Sequence, residues 1–272
     1  MQVGVFAKTF PGSEPAGVLA AVRDAGFAVT QFNLACAGLL SMPEDVPEEA
    51  VQAIDAAATA SGVGLVALSG TYNMAHPDEA VRDDGLHRLA VVIKAAAKLS
   101  TPLVTLCTGT RNADDQWAHH PDNADPSAWA DMAREMEKAL QLAERHGVDL
   151  GIEPEQANIV TSAGDAVRLI SEMGSKRLRI VLDPANLFER ADPEAARAIV
   201  AEAVERTAGH VALAHAKDRF ADGRFATVGQ GVVDFADFIA RLKATGFDGP
   251  LVTHGLSAEE APGVARFLKG LV

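Results

Sequence analysis

Six times along this chain an alanine-rich amphipathic stretch runs into a glycine and then into a short apolar run: AAVRDAG-FAVTQFNL, AAATASG-VGLVALSG, LAERHG-VDLGIEPE, ISEMGSKR-LRIVLDPA, AVERTAGH-VALAHAKD and LKATGFDG-PLVTHGL. A glycine there suits the left-handed residue that ends a helix. The runs that follow are too short for helices, and they are apolar at successive rather than alternate positions, as in strands buried on both faces. Helix, glycine, strand is the middle of a β/α unit. Adding QVGVFA at the start and PLVTLCTG after the helical pattern over 82–99 gives eight strands, near 2–7, 28–33, 64–69, 102–107, 148–153, 178–183, 210–215 and 250–254. Eight strands alternating with eight helices predict an α/β fold, a (β/α)8 TIM barrel, as one domain over 1–272.

The helix starts agree with this frame. Asp192-Pro193-Glu194 offers an N-cap, a proline in the first turn and an early acid, Ser257 to Glu260 fits a capping box, and Arg82 with Asp83-Asp84 reads as the start of a solvated helix. The connection 107–125 is longer than an ordinary βα loop of about 2–6 residues, as lids and binding loops often are. With 48% hydrophobic residues the chain can fill a large core, and its net charge of −13 argues against a nucleic-acid partner. No apolar run reaches the ~20 residues that span a bilayer, and MQVGVFAKTF lacks the pattern of a secretory signal, so no membrane partner and a cytoplasmic location are expected. Cys36 and Cys107 lack metal or redox spacing and read as small buried hydrophobes.

In such barrels the C-terminal strand ends and the loops after them build the site. Glu153, Asp183, His215 and His254 close four successive predicted strands. Each has an ordinary explanation alone: Asp183 before Pro184 starts a turn, His254 before Gly255 is a loop histidine, Glu153 pairs with a cation. Falling together at consecutive strand ends, they read as the ligands of one divalent ion. Two carboxylates and two imidazoles suit Mn, Co, Fe, Mg or Zn better than Ca. The same ends carry Asn33, Tyr72, Asn73, His76, Glu155 and Asn186, and the seventh adds Lys217, Asp218 and Arg219. Trp117 in the long loop either stacks on a bound ligand or packs the loop down. Gly229 and Gly231 either bring backbone N–H groups to a phosphate or make a tight turn.

GIEPE at 151–155, LDPANL at 182–187, HAKD at 215–218, VGQGVVDF at 228–235 and LVTHGL at 251–256 resemble the motifs of the sugar phosphate isomerase/epimerase family of xylose isomerase-like TIM barrels. That resemblance implies one divalent metal held by a Glu from strand five, an Asp from strand six, a His from strand seven and an acid from strand eight. The first three map onto Glu153, Asp183 and His215. The fourth position reads His254 where the ketose epimerases have glutamate, and Asn186 stands where they have a histidine. The implied activity is a metal-dependent sugar, sugar phosphate or keto-polyol isomerase or epimerase acting through an enediolate. Glu153 or Glu155 would be the base and Lys217 the oxyanion support, with Asn73, Trp117, Asn158, Asn186 and Arg219 binding a small-molecule sugar. A metal-bound imidazole is a poor base, so His254 favours proton transfer on one face, hence isomerisation or elimination over inversion. The alternatives are a lyase or dehydratase on a keto sugar or inosose, a non-catalytic sugar-binding subunit, and an abasic-site nuclease. The acidic charge and Asn186 disfavour the last. A homo-oligomer is left open.

Overall fold

The eight apolar runs form eight parallel strands hydrogen-bonded in one closed ring in the computed structural model, which describes residues 1–272. They are β1 (Gln2–Phe6), β2 (Val29–Phe32), β3 (Gly64–Ser69), β4 (Leu103–Leu106), β5 (Asp149–Ile152), β6 (Leu178–Leu182), β7 (Val211–Ala216) and β8 (Pro250–Thr253). The ring closes where Gly4 of β1 pairs with Val29 on one side and Val252 on the other. Helices follow as α1 (Pro15–Asp24), α2 (Glu48–Ser61), α3 (Glu79–Lys98), α4 (Pro126–His146), α5 (Ala163–Met173), α6 (Pro193–Arg206), α7 (Phe235–Ala244) and α8 (Ala261–Lys269). The glycines that end α2 and α4, Gly62 and Gly147, both have φ of +71°, a conformation that costs a side chain with a Cβ.

Because side chains alternate along a strand, every second residue faces the barrel axis. The lower inward layer is apolar: Ala67, Leu103, Val181, Leu213 and Val252 pack into one cluster. Gly4 and Gly151 make room for it, since a Cβ on Gly4 would sit 2.8 Å from Val29 Cγ2, and one on Gly151 2.8 Å from Val181 Cγ2. Two residues further up each strand, the inward positions are Phe6, Gln31, Ser69, Thr105, Glu153, Asp183, His215 and His254. Stability therefore resides below, and polarity is lifted to the C-terminal mouth.

The helices bury one face each. In α4, Ala128, Met132, Met136, Ala139, Leu140 and Ala143 follow helical spacing onto the barrel. Asp125, Ser162, Asp192 and Asp234 cap their helices by accepting backbone N–H bonds. Ser257 and Glu260 exchange the reciprocal bonds of a capping box, but around a turn that precedes α8 rather than at its first residue. Arg82 departs from the solvated reading: it is buried, donates to the His76 carbonyl and lies 4.0 Å from the buried carboxylate of Glu135 on α4. Its helical position faces α4, a partner that periodicity within α3 does not reveal. Cys36 and Cys107 are buried and unbridged, and no helix is long and apolar enough to cross a membrane.

Candidate metal centre and active site

Glu153, Asp183, His215 and His254 each offer one ligand atom, and these atoms all lie within 4.8 Å of one another. The strand ladders set this convergence. Leu182 pairs with Ala214 and Val252 with His215, so Asp183 follows at the level of His215 and His254 stands two residues beyond it. His254 Nε2 lies 2.9 Å from Asp183 Oδ2. His215 Nδ1 is 3.4 Å from Glu153 Oε2 and 3.7 Å from Asp183 Oδ2.

The other nitrogen of His215 explains which way its ring is used. Nε2 sits 2.9 Å from Gln31 Oε1, while the Gln31 amide nitrogen donates to Ser69 Oγ and Thr105 Oγ1 at 3.1 Å each. With its oxygen toward the ring, Gln31 accepts the Nε2 proton and leaves the lone pair on Nδ1. Nδ1 is buried and has no hydrogen-bond partner. A lone pair and two carboxylate oxygens facing one another require a cation between them, a proton or a metal ion. The donor set therefore fits a divalent ion of intermediate hardness. Gln31 is the ring-orienting residue that sequence reasoning passed over; its signal was a lone amide inside the apolar run FAVTQFNL, on the inward phase.

The same field shapes the titrations. Burial works against charge on His215, yet Glu153 and Asp183 push its pKa up to about 9. Burial would raise the Asp183 carboxyl, but the neighbouring His215 and His254 imidazoles hold it well below the usual carboxylate range. Burial, then the neighbouring His215, pushes the His254 imidazole down. Burial and the Glu153 charge push Glu155 up to about 7, against the pull of Lys217.

Above this centre opens a cavity of about 980 Å3 whose wall includes Glu153, Glu155, Asn186, Lys217, Arg219 and Trp117. Asn186 ties it together, donating to Glu153 Oε1 at 2.6 Å and accepting from Lys217 Nζ at 3.2 Å. Trp117 stands at the rim, half exposed, rather than packing its loop down. Asn73 and Asn158 do not face the cavity, which corrects the expectation that they bind substrate. Asn73 accepts from the backbone N–H groups of Ala75 and Thr110 and donates to the Asn112 carbonyl. Asn158, fully buried, accepts from Gly109 N at 2.7 Å and donates to Glu155 Oε2 at 3.2 Å. Both fold the long loop beneath the site. The N–H groups of Gly229 and Gly231 are also committed, because the buried Asp218 carboxylate accepts both, at 3.0 and 2.8 Å. Of the two readings of that pair, the turn is the one formed. Sequence reasoning also missed the ribbon in which Asp218–Arg219 pairs antiparallel with Phe225–Ala226, bringing Phe225 onto the cavity wall.

The whole chain superposes on solved sugar-epimerase structures. It is similar to the 3-keto-D-glucoside 4-epimerase of E. coli, with a TM-score of 0.78, 17% identity and 99% of both chains covered. It is also similar to an L-ribulose 3-epimerase, at 0.76 and 20%, covering 99% of this chain and 92% of the other. A D-psicose 3-epimerase from Clostridium cellulolyticum H10, in complex with D-tagatose, matches at 0.74 and 16%, over 100% and 99%. No curated protein matches the chain in sequence. At these identities the structures establish the shared barrel. Residues 19–270 match the model of one family, and with it the protein is placed: the chain belongs to the xylose isomerase-like TIM barrels.

Proposed function

We propose that the protein is a divalent-metal-dependent isomerase or epimerase of a sugar. The observation that carries this reading is the convergence of Glu153, Asp183, His215 and His254 at the floor of a cavity large enough for a sugar. The superposed epimerases add support through their shared architecture. A divalent ion at these ligands supplies Lewis-acid polarisation of a substrate's carbonyl and hydroxyl oxygens.

The chain's own groups divide the remaining work. Glu153 has both oxygens engaged, Oε1 by Asn186 and Oε2 toward His215, which makes it a holder. Glu155 spends only one oxygen, on Asn158, and stands in the cavity wall; it is the carboxylate free to take a proton from a substrate carbon. Lys217, held by Asn186, meets the negative charge that develops on the substrate oxygen. Asn186 and Trp117 orient the sugar, and the Trp117 loop limits access of water.

One feature favours a particular outcome. The carboxylates of the site, Glu153, Glu155 and Asp183, all come from the ends of β5 and β6, and the facing position on β8 is His254. Proton transfer then occurs on one face of the planar intermediate, which gives aldose–ketose isomerisation, or elimination where a leaving group sits β to the carbonyl. The test is proton exchange in deuterated water with keto sugars and inososes, alongside metal analysis of the purified protein. Label entering one face without inversion supports the reading. Absence of both bound metal and carbon-bound exchange overturns the enzyme reading, and rapid accumulation of the C-epimer overturns one-face transfer.

A further inference from the structure

We propose that the substrate carries an anionic substituent, a carboxylate or phosphate ester remote from the reacting carbons, and that Arg219, held on the Phe225 ring that it shares with Lys217, forms its subsite. The proposal rests on the reading of the cavity as a sugar site. It begins with an imbalance. Among the cations that line the cavity, Arg224 has a carboxylate partner, Asp222 at 2.8 Å, whereas Lys8, Arg190, Lys217 and Arg219 have none. Outside the cavity most of the lysines and arginines have a carboxylate partner, as Arg197 has Asp237 and Arg177 has Asp149.

The two central cations share one aromatic ring. Lys217 Nζ lies 3.6 Å and Arg219 Cζ 4.4 Å from the centre of the Phe225 ring, on the short ribbon that forms one wall. Stacking on a ring face holds a guanidinium while leaving its N–H edge free for a bidentate anion. Arg219 uses that edge once, donating Nη1 to the Glu189 carbonyl, and its Nε is shut from solvent without an acceptor. Keeping two like charges on one ring is unfavourable unless something negative sits near both.

The carboxylates of the metal centre do not fill that role. With a divalent ion at the four ligands, the charges of Glu153 and Asp183 are met by the ion. The carboxylates left in the wall are Glu155, Glu189 and Asp222, against Lys8, Arg190, Lys217, Arg219 and Arg224, so the outer cavity holds surplus positive charge. The order outward is Glu153, Asn186, Lys217, Phe225, Arg219. Arg219 makes no hydrogen bond or ion pair with any of the four ligands, so an anion bound there is held apart from the ligand set.

The experiment uses three matched probes on metal-loaded protein: D-fructose, D-fructose 6-phosphate and D-fructuronate. Equilibrium binding is measured by calorimetry at low and high salt, and carbon-bound proton exchange is followed in parallel. At least one anionic probe should bind about tenfold or more tightly than D-fructose, and the advantage should shrink at high salt. The phosphate and carboxylate arms identify which anion the subsite takes. In Arg219→Gln the anionic advantage should fall to about threefold or less, while Arg219→Lys should keep most of it. The salt series needs no variant and stands if a substituted protein misfolds. Equal or tighter binding of D-fructose, or an anionic advantage indifferent to salt and to Arg219→Gln, overturns the proposal. Absence of exchange with every probe, while the salt-sensitive anionic preference persists, overturns the reaction assigned to the site and leaves the subsite standing.

Discussion

The upper inward layer of the barrel divides into two unlike halves. From β1 to β4 it reads Phe6, Gln31, Ser69, Thr105; from β5 to β8 it reads Glu153, Asp183, His215, His254. The first half is neutral and satisfied, with Gln31 bonded at once to Ser69, Thr105 and His215. The second is ionisable and leaves His215 Nδ1 without a partner. Burying unbalanced ionisable groups costs stability, and the apolar layer beneath, common to both halves, is what tolerates it. The difference teaches that the neutral half is the mould and the ionisable half is the instrument. Gln31 is where the two touch.

The largest effect should come from the centre of the ionisable half. Asp183→Ala removes the one carboxylate that touches both imidazoles. Metal content should fall to background and carbon-bound exchange should vanish, while the far-ultraviolet circular dichroism spectrum stays unchanged, because the fold is held by the lower layer and the helices. Full metal occupancy in this variant would break the division.

Next comes a separation inside that half. Glu155→Gln should lower exchange by about 10²–10⁴-fold, the usual worth of a general base, with metal content retained. Glu153→Gln should instead lose metal. Metal loss in Glu155→Gln with retention in Glu153→Gln would exchange the roles of holder and base.

The neutral half is tested through its single point of contact. Gln31→Leu removes the acceptor that keeps the proton on His215 Nε2 and should weaken metal binding by about 10–100-fold, read by titration of the metal-free protein with Co²⁺. Ser69→Ala and Thr105→Val, one bond further away, should each do much less. A Gln31→Leu protein that binds metal as tightly as the parent would leave the first half as mere filling.

The barrel itself was plain in the sequence, because each β/α unit repeats one local grammar of amphipathic stretch, glycine and apolar run, and every strand falls within two residues of its expected place. The convergence of Glu153, Asp183, His215 and His254 followed from barrel geometry, since the ends of neighbouring parallel strands are neighbours in space. What escaped depends on how loops fold over one another. Asn73 and Asn158 have the residue type of sugar-binding amides, and only the packed loop shows their polar atoms already spent on Gly109, Thr110 and Ala75. Phe225 reaches the cavity through a ribbon whose strands are two residues long, too brief for alternation to register. Gln31 is neutral, and attention to ionisable residues passes over it.

The smallest effect is a proton count, and it separates the members of the ionisable half from one another. In the metal-free protein at pH 8, Asp183 is ionised and His254, pushed down by burial and His215, is neutral. Glu155, with a pKa near 7, is mostly ionised, and His215, near 9, still carries its second proton. A metal ion takes the His215 Nδ1 lone pair, so uptake at pH 8 should release most of one proton, declining as pH rises past about 9. Calorimetry in buffers of different ionisation enthalpy counts it. The stability of the metal-free protein has a matching sign. The folded pKa of His215 lies above its ordinary value of 6.5, so its contribution is fully present below pH 6.5 and is lost as pH rises through about 9. Thermal midpoints of the metal-free protein should fall across that window, and those of the metal-loaded protein should not, because there the ion has replaced the proton. Release of no proton at pH 8 would mean that the lone pair on Nδ1 is already free, and that the ionisable half is held open by the fold alone.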